Sequence, residues 1–600
     1  TQGVSSAASD VYKRQMNIKK QRIKIYLLFI FICLPNLSTV PSFAFQSREI
    51  SMETVSSWAV TTTVFKLAGS NEVNNVKLNW MQRKDADLYK IYRDNNLIGE
   101  AKGNTYDDYN LMVNKTFTYH VEAFYNGQKV ATSISQQATT FIPTGESKVY
   151  DNLNGKYITK ESSGNKPQGM KINDLYFSYK IENTEKTVDG QQLKGWLVTE
   201  SYSKTGLNGS WSTPRELAFY PNVKMEGNAF RYNPKTGKVV LSSHYEDENG
   251  YTAAKIYLAQ ITPKGKLEVG TMERPLGHDS RDQSLFIDDD NTAYLLSATN
   301  TNSDINIYKL DASWTKPVEL VNTICKGLHR ETPAIIKKDG EYYFFSSKAS
   351  GWYPSQTMYT STTDLAGEWT PIREIGNNTT FDAQFNRISK VGTTYGVWSY
   401  HWGAQRKYKT PDGNFPRITI AAFNKGYASM DYYRYLEFND NYGIIPVQNG
   451  KNLTLNVPVT SAVSGAKGVK ADCITDGASL DSSTYFQKSS NATIGTPYMF
   501  TVDMQKKARI SEINLSTRLV NGSEAAYKYT IEGSPDGKSY KMLVDGRTNW
   551  QVGFLILNVE DPTAYRYLRL RIYGVVNVHK GNSAMWADGI YEFTALGIPE

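Results

Sequence analysis

From residue 50 onward the chain is written in short runs where apolar and polar residues alternate. Residues 328–345, LHRETPAIIKKDGEYYFF, show the unit: an alternating apolar run, a DG pair, then a second run rich in aromatics. Similar pairs of runs recur to the C-terminus, broken by DG, NG and KG dipeptides. Alternation with a period of two buries one face of a strand, and DG or NG supplies the left-handed residues a tight hairpin needs. Turn signals spaced by roughly 8 to 12 residues predict an all-β chain of sandwiches, barrels or propellers. Almost nothing follows a helical period.

Five stretches share one plan: KPQGMKINDLYFSYK, KMEGNAFRYNPKTGKVVLSS, SRDQSLFIDDDNTAYLLSA, HRETPAIIKKDGEYYFFSS and FDAQFNRISKVGTTYGVWS. Each has a polar entry residue, an apolar strand, a turn and an aromatic strand. The entry residues are Gln168, Glu226, Asp282, Glu331 and Gln384, spaced by 58, 56, 49 and 53. A repeat of about 50 residues predicts a five-bladed β-propeller over residues 145–447. The innermost strands of such blades begin at one end of a central channel, so the five entry residues are expected to converge there.

Two further zones flank the repeat. Residues 50–142 hold Trp80, the hairpin YKIYRDNNLIG and the run TFTYHVEAF, and predict a small sandwich. Residues 455–600 predict a second sandwich. At the other extreme, residues 1–15 carry no pattern, precede Met16, and are read as an artefactual or upstream segment. Residues 16–44 read as a signal peptide: Lys19, Lys20, Arg22 and Lys24, an apolar run from Tyr26 to Leu34, then Ser42, Phe43 and Ala44. Cys33 lacks the small residue before it that a lipoprotein box requires. The apolar run is too short to span a bilayer, and no membrane span is expected. A secreted, periplasmic or cell-surface bacterial protein is expected.

The formal net charge of +8 is mostly targeting signal. Without residues 1–44, which hold six basic residues and one acid, 61 basic residues stand against 58 acidic ones. No basic block remains, which argues against nucleic acid. Cys325 and Cys473 fall in different zones, which excludes a disulfide framework and a cysteine zinc site. The 41 tyrosines and 11 tryptophans suit sugar stacking as well as ordinary β-structure.

A ring of Glu226, Asp282, Glu331 and Gln384 in a channel mouth has hydrolase chemistry. Glycoside cleavage needs a protonated carboxylic acid at the leaving oxygen and a second group to align or activate water. A neighbouring carboxylate raises the acid's pKa by like-charge repulsion.

The segments KMEGNAFRYNPKTGKVV, SRDQSLFIDDDNTAYLL and HRETPAIIKKDGEYYFFSSKASGWYPS resemble glycoside hydrolase family 43, nearest to its exo-β-1,3-galactanase group, subfamily 24. The resemblance implies Glu331 as general acid, Asp282 as the group that tunes it and holds a sugar hydroxyl, and Glu226 as a substrate ligand. Family 43 ordinarily takes its base from a first-blade aspartate, absent here. The galactanase group is thought to position water with a glutamine instead, and TTFDAQF supplies Gln384. Gln168, Ser350, Trp352, His401 and Trp402 are the expected substrate-binding residues. Gly227 replaces the proline that follows the glutamate in the family, and the last blade reads YHWGAQRKYKTPDGNF in place of D-R-W.

The N-terminal zone resembles a fibronectin type III domain. The C-terminal zone, with ADCITDGASLDSSTYF, YRYLRLRIYG and WADGIYEFTALG, resembles the discoidin or coagulation-factor type C domain, which includes family 32 carbohydrate-binding modules. That resemblance implies a structural Ca2+ held by Asp476 and Glu592, and a glycan site involving Arg518, Trp550 and His579. No catalytic cofactor is expected. The reading is an exo-acting, inverting enzyme, acting as a monomer, that releases galactose from β-1,3-galactan or arabinogalactan side chains. Its alternatives are another family-43-type glycosidase, such as an arabinofuranosidase or xylosidase, and a non-catalytic glycan-binding propeller.

Overall fold

A computed structural model describes residues 58–142, 147–158, 169–207, 209–248, 250–410, 413–480, 482–489, 497–519 and 525–600. The expected signal peptide and Gln168 lie outside the described residues. Among the described residues every ordered element is a strand or a short 3-10 turn.

The middle of the chain forms five successive four-stranded antiparallel sheets, each a simple meander. Their first strands are Met170–Ile172, Lys224–Asn233, Gln283–Ile287, Arg330–Lys338 and Gln384–Val391. The DG pair of the fourth unit forms the predicted hairpin: Lys338 pairs with Glu341 across Asp339 and Gly340, whose φ values are 53° and 83°.

Hydrophobic clusters fill the gaps between consecutive sheets. Met225, Val239 and Leu241 of the second sheet meet Phe177, Trp196 and Val198 of the first. Phe345 of the fourth stacks on Tyr359 of its own sheet and on Phe385 of the fifth. A cavity of about 1770 Å3 is lined by residues of all five sheets.

The N-terminal zone folds as two facing sheets around Trp80, Tyr89 and Tyr119. One sheet, Val60–Leu67, Val73–Trp80 and Thr105–Met112, does not stop at the zone's edge. Lys66 and Leu67 pair in parallel with Val447 and Gln448, which extends it through Gly443–Gln448 and Tyr435–Asn439 to Ser147–Asp151. The segments on either side of the five sheets are thereby tied to the N-terminal sandwich. The C-terminal zone is an eight-stranded sheet organised on Tyr498–Thr517, with its own core.

Candidate active site

The inner strands of the second and fourth sheets carry a bulge just after their carboxylates. Register breaks between Glu226 and Ala229, and between Glu331 and Ala334. A bulge bends the strand and re-aims a side chain, here at the strand's entry. The residue after each carboxylate is left-handed: Gly227 has φ 62° and Thr332 φ 52°. Proline, locked near −65°, could not occupy position 227 in this backbone, which explains the glycine there. Thr332 is β-branched, and its conformation is strained. The strain has a use: the Thr332 N–H donates to Asp282 Oδ2 at 3.0 Å, and its hydroxyl bonds the Glu331 carbonyl and Ser347 Oγ. One residue thus couples the third sheet to the acid of the fourth.

Glu331 is 4% exposed. Asn302 Nδ2 donates to its Oε1 at 3.0 Å, and Gln384 Nε2 donates to its Oε2 at 3.2 Å. Burial, then the neighbouring Asp282 charge, push its pKa up to about 8, against the two amide donors. Burial also raises Asp282. Arg330 does not neutralise the pair by direct contact. Its buried guanidinium donates to the Ser346 and Gln356 carbonyls, and burial lowers its pKa to about 10.

The Gln384 amide has its orientation decided by chemistry. Trp402 Nε1, which can only donate, bonds Gln384 Oε1 at 3.0 Å, so the NH2 end faces Glu331 and Ser347 Oγ. Three consecutive left-handed residues, Thr380, Phe381 and Asp382, deliver Gln384 to this place. Asn377 caps that turn, accepting from the backbone N–H of Thr379 and Phe381.

The expected separation of acid and water-positioning group, about 6.5 to 9.5 Å for an inverting enzyme, is not found. Gln384 and Glu331 sit at hydrogen-bond distance, because the buried carboxyl takes the nearest available donor.

Glu226 completes the constellation. Tyr251 OH donates to its carboxylate at 2.9 and 3.1 Å, and His244 Nδ1 lies 3.9 Å away, its other nitrogen on Glu246 at 2.7 Å. Burial raises the Glu226 pKa. Glu226, Asp282, Thr332 and Trp402 line the cavity, and Glu331 and Gln384 lie directly behind that lining, bonded to Thr332 and Trp402.

Four of the five entry residues are therefore brought together, with Trp402. Other expected substrate ligands are placed elsewhere. His401 does not line the cavity. It is enclosed by Asp382 at 3.0 Å, Thr410 at 3.1 Å and the stacked ring of Phe415. There it braces the turn before Gln384. Burial opposes ionisation of Asp382, but Arg406 at 2.8 Å and His401 outweigh it and hold this carboxyl below its usual range. Ser350 donates to the Tyr353 carbonyl, and neither it nor Trp352 is among the cavity residues.

Asn302, Thr332, Ser347 and Tyr251 had not been singled out from sequence. The TP pair at 332–333 carried a signal, since a residue before proline avoids the helical region. Asn302 and Tyr251 lie in loops with no local mark.

In the C-terminal zone, Asp476 and Glu592 face one another electrostatically. Burial first, with neighbouring acidic charge, pushes Asp476 up to about 7 and Glu592 well above its usual range. Among the described residues they are not joined by a third His, Cys, Asp or Glu. Of the expected glycan residues there, Trp550 and His579 make contacts across the module boundary. The Trp550 ring is stacked on Tyr408 at 4.0 Å on one face and covered by the Lys528 ammonium at 3.7 Å. His579 packs edge-on against Tyr353, and its carbonyl accepts from Lys407. These side chains dock the C-terminal zone onto the loops after the fourth and fifth inner hairpins.

Residues 268–394 match the family model of glycosyl hydrolases family 43, and residues 458–587 match the F5/8 type C domain. A segment similar to family 43 glycosyl hydrolases thus precedes one similar to the F5/8 type C domain. Asp282, Glu331 and Gln384 fall inside the matched segment; Glu226 and Trp402 fall outside it. Among solved structures, an exo-β-1,3-galactanase variant from Phanerochaete chrysosporium with β-1,3-galactotriose is 19% identical, covering 75% of this chain and 98% of that chain with a TM-score of 0.43. An exo-β-1,3-galactanase from Clostridium thermocellum is 23% identical, covering 75% of this chain and 96% of that chain with a TM-score of 0.41. No curated protein matches the chain.

Proposed function

We propose that the protein is a secreted, exo-acting, inverting glycosidase that releases galactose from β-1,3-galactan or arabinogalactan-type side chains. In this reading the five sheets are the blades of a propeller, and the N-terminal sandwich is a fibronectin type III-like spacer. The observation that carries the catalytic part is the burial of Glu331, 4% exposed, beside Asp282, which pushes its pKa up to about 8. Glu331 donates the proton to the leaving glycosidic oxygen. Asp282, anchored by the Thr332 N–H, keeps that proton on Glu331 and accepts from a sugar hydroxyl. Glu226 binds a second hydroxyl from the cavity wall. Gln384 is a neutral amide, too weak a base to take a proton from water, and its oxygen already accepts from Trp402. Its role is therefore to orient: it aligns the acid while the site is empty, and an arriving sugar that displaces its bond to Glu331 leaves its N–H to hold the water, whose proton passes to solvent as its oxygen bonds the anomeric carbon.

The Asp476 and Glu592 carboxylates suit a hard divalent cation, whose charge would offset their mutual repulsion. We include a structural Ca2+ there, completed by carbonyl oxygens, in the proposal.

The test is galactose release from β-1,3-galactan by residues 45–600, with the anomer formed first read by NMR, beside Glu331→Gln. Release of the inverted anomer, with a loss of 10² or more in the variant, supports the reading. Retention of configuration, or activity on arabinofuranosides alone, overturns it.

A further inference from the structure

Two arginines line the cavity without an ion pair among the described residues. Arg231 lies on the inner strand of the second sheet and Arg387 on that of the fifth; both line the cavity and both are exposed to its solvent. Register places them below the entry residues. Glu226 pairs with His244 and Arg231 with Val240, four rungs on; Gln384 pairs with Tyr400 and Arg387 with Trp398, two rungs on. At about 3.3 Å per rung, the guanidiniums start about 13 and 7 Å along the wall from the carboxylate end.

Neither guanidinium has a carboxylate partner among the described residues. Arg231 Nη1 donates to the Phe230 carbonyl at 3.0 Å, and Arg387 lies over the Trp398 ring at 5.0 Å. Of the cavity's three lysines, Lys194 likewise has no ion pair among the described residues, and the other two are better provided for. Lys180 has Glu182 at 3.9 Å, and Lys224 sits 3.7 Å above the Tyr251 ring. The two arginines face one cavity from the second and fifth sheets, and burial in its wall holds both below the usual guanidinium range. Two guanidiniums that face one solvent-filled cavity are stabilised by an anion lying between them. A guanidinium presents its N–H donors as a planar fork matched to a carboxylate, sulfate or phosphate.

We propose that Arg231 and Arg387 form an oxyanion-binding site in the channel below the acidic cluster. Its ligand is a carboxylate, sulfate or phosphate, either free or carried by a glycan as a uronate or sulfate ester. The free-anion form stands whatever chemistry occurs at Glu331, while the glycan-borne form rests on the glycosidase reading. An anionic substituent would take the lower channel and leave the neutral terminal sugar at the carboxylates.

Calorimetric titration of the full chain tests this, using sodium sulfate at fixed ionic strength, a uronate-capped galacto-oligosaccharide and its neutral counterpart. The expected result is sulfate binding that weakens at least 10-fold in Arg231→Gln and in Arg387→Gln, with an unchanged melting temperature. Arg387→Lys, which keeps the charge but loses the fork, should fall between. A capped oligosaccharide that binds at least 10-fold more tightly than the neutral one, and is displaced by sulfate, assigns the site to substrate. Sulfate binding without that preference assigns it to a resident inorganic anion. Equal binding by wild type and the double variant, or no binding of either anion, overturns the proposal. Because the readout is binding, an inactive Glu331→Gln chain serves equally well.

Discussion

Gln384 is held at both ends of its amide: Trp402 Nε1 bonds the oxygen at 3.0 Å and Glu331 Oε2 accepts from the nitrogen at 3.2 Å. The tryptophan thereby acts on the acid through one intervening side chain. In Trp402→Phe the amide oxygen loses its donor and the group can rotate, so the acid loses its alignment. We expect kcat to fall by about 10- to 100-fold, since small displacements of a reacting group carry penalties of this size. A melting temperature close to wild type would show that the effect is local. A variant with unchanged kcat and only a raised KM would reduce Trp402 to a sugar platform.

The raised Glu331 pKa sets a pH limit. The acid is useful while protonated, so kcat/KM should hold at lower pH and decline as pH rises through about 8. Burial is the larger cause and the Asp282 charge the second. Asp282→Asn should therefore move the alkaline limb to lower pH without bringing it to that of a free carboxylic acid. A limb that stays in place would mean that Asp282 does not tune the acid.

Phe345 shows how the sheets are held. It is fully buried, with Tyr359 and Phe385 rings 6.0 Å away and Phe423 at 6.1 Å. Truncation to alanine removes the packing between the fourth and fifth sheets, and should cost about 3–5 kcal/mol. Urea denaturation would measure it. A loss below about 1 kcal/mol would mean the two sheets do not depend on this contact.

The local parts of this protein were readable in the residues. The DG pair at 339–340 announced its hairpin, because only left-handed residues make that turn, and the shared entry position foretold that Glu226, Asp282, Glu331 and Gln384 would meet. What escaped reading was lateral. His401 looked like a substrate ligand beside Trp402, yet successive strand residues point to opposite faces, and Tyr400 and Trp402 on either side of it reach the cavity instead. Asn302 reaches Glu331 across 29 residues, and Trp550 finds Tyr408 across a module boundary. Such contacts depend on how finished sheets pack, and no period in the chain encodes them.

The junction of the N-terminal sandwich with the fifth sheet carries a pH-dependent strain of its own. Asp431, at the end of Tyr427–Asp431, accepts from Asn79 Nδ2 at 2.8 Å, and burial pushes its pKa up to about 6 despite the nearby Lys77 charge. A carboxyl raised above its unfolded value, near 3.9, favours the fold only where it is protonated. That contribution is complete below pH ~4 and is lost as pH rises through about 6, so the native wild type is penalised at neutral pH. Asp431→Asn keeps an oxygen for Asn79 and removes the ionisation. Its stability relative to wild type should be near zero at pH ~4, grow between pH ~4 and ~6, and level off at about 2–3 kcal/mol above that. Denaturation across that range would show the widening gap. A gap independent of pH, or a variant less stable than wild type at pH 7, would mean that Asp431 is ionised and favourably paired in the fold.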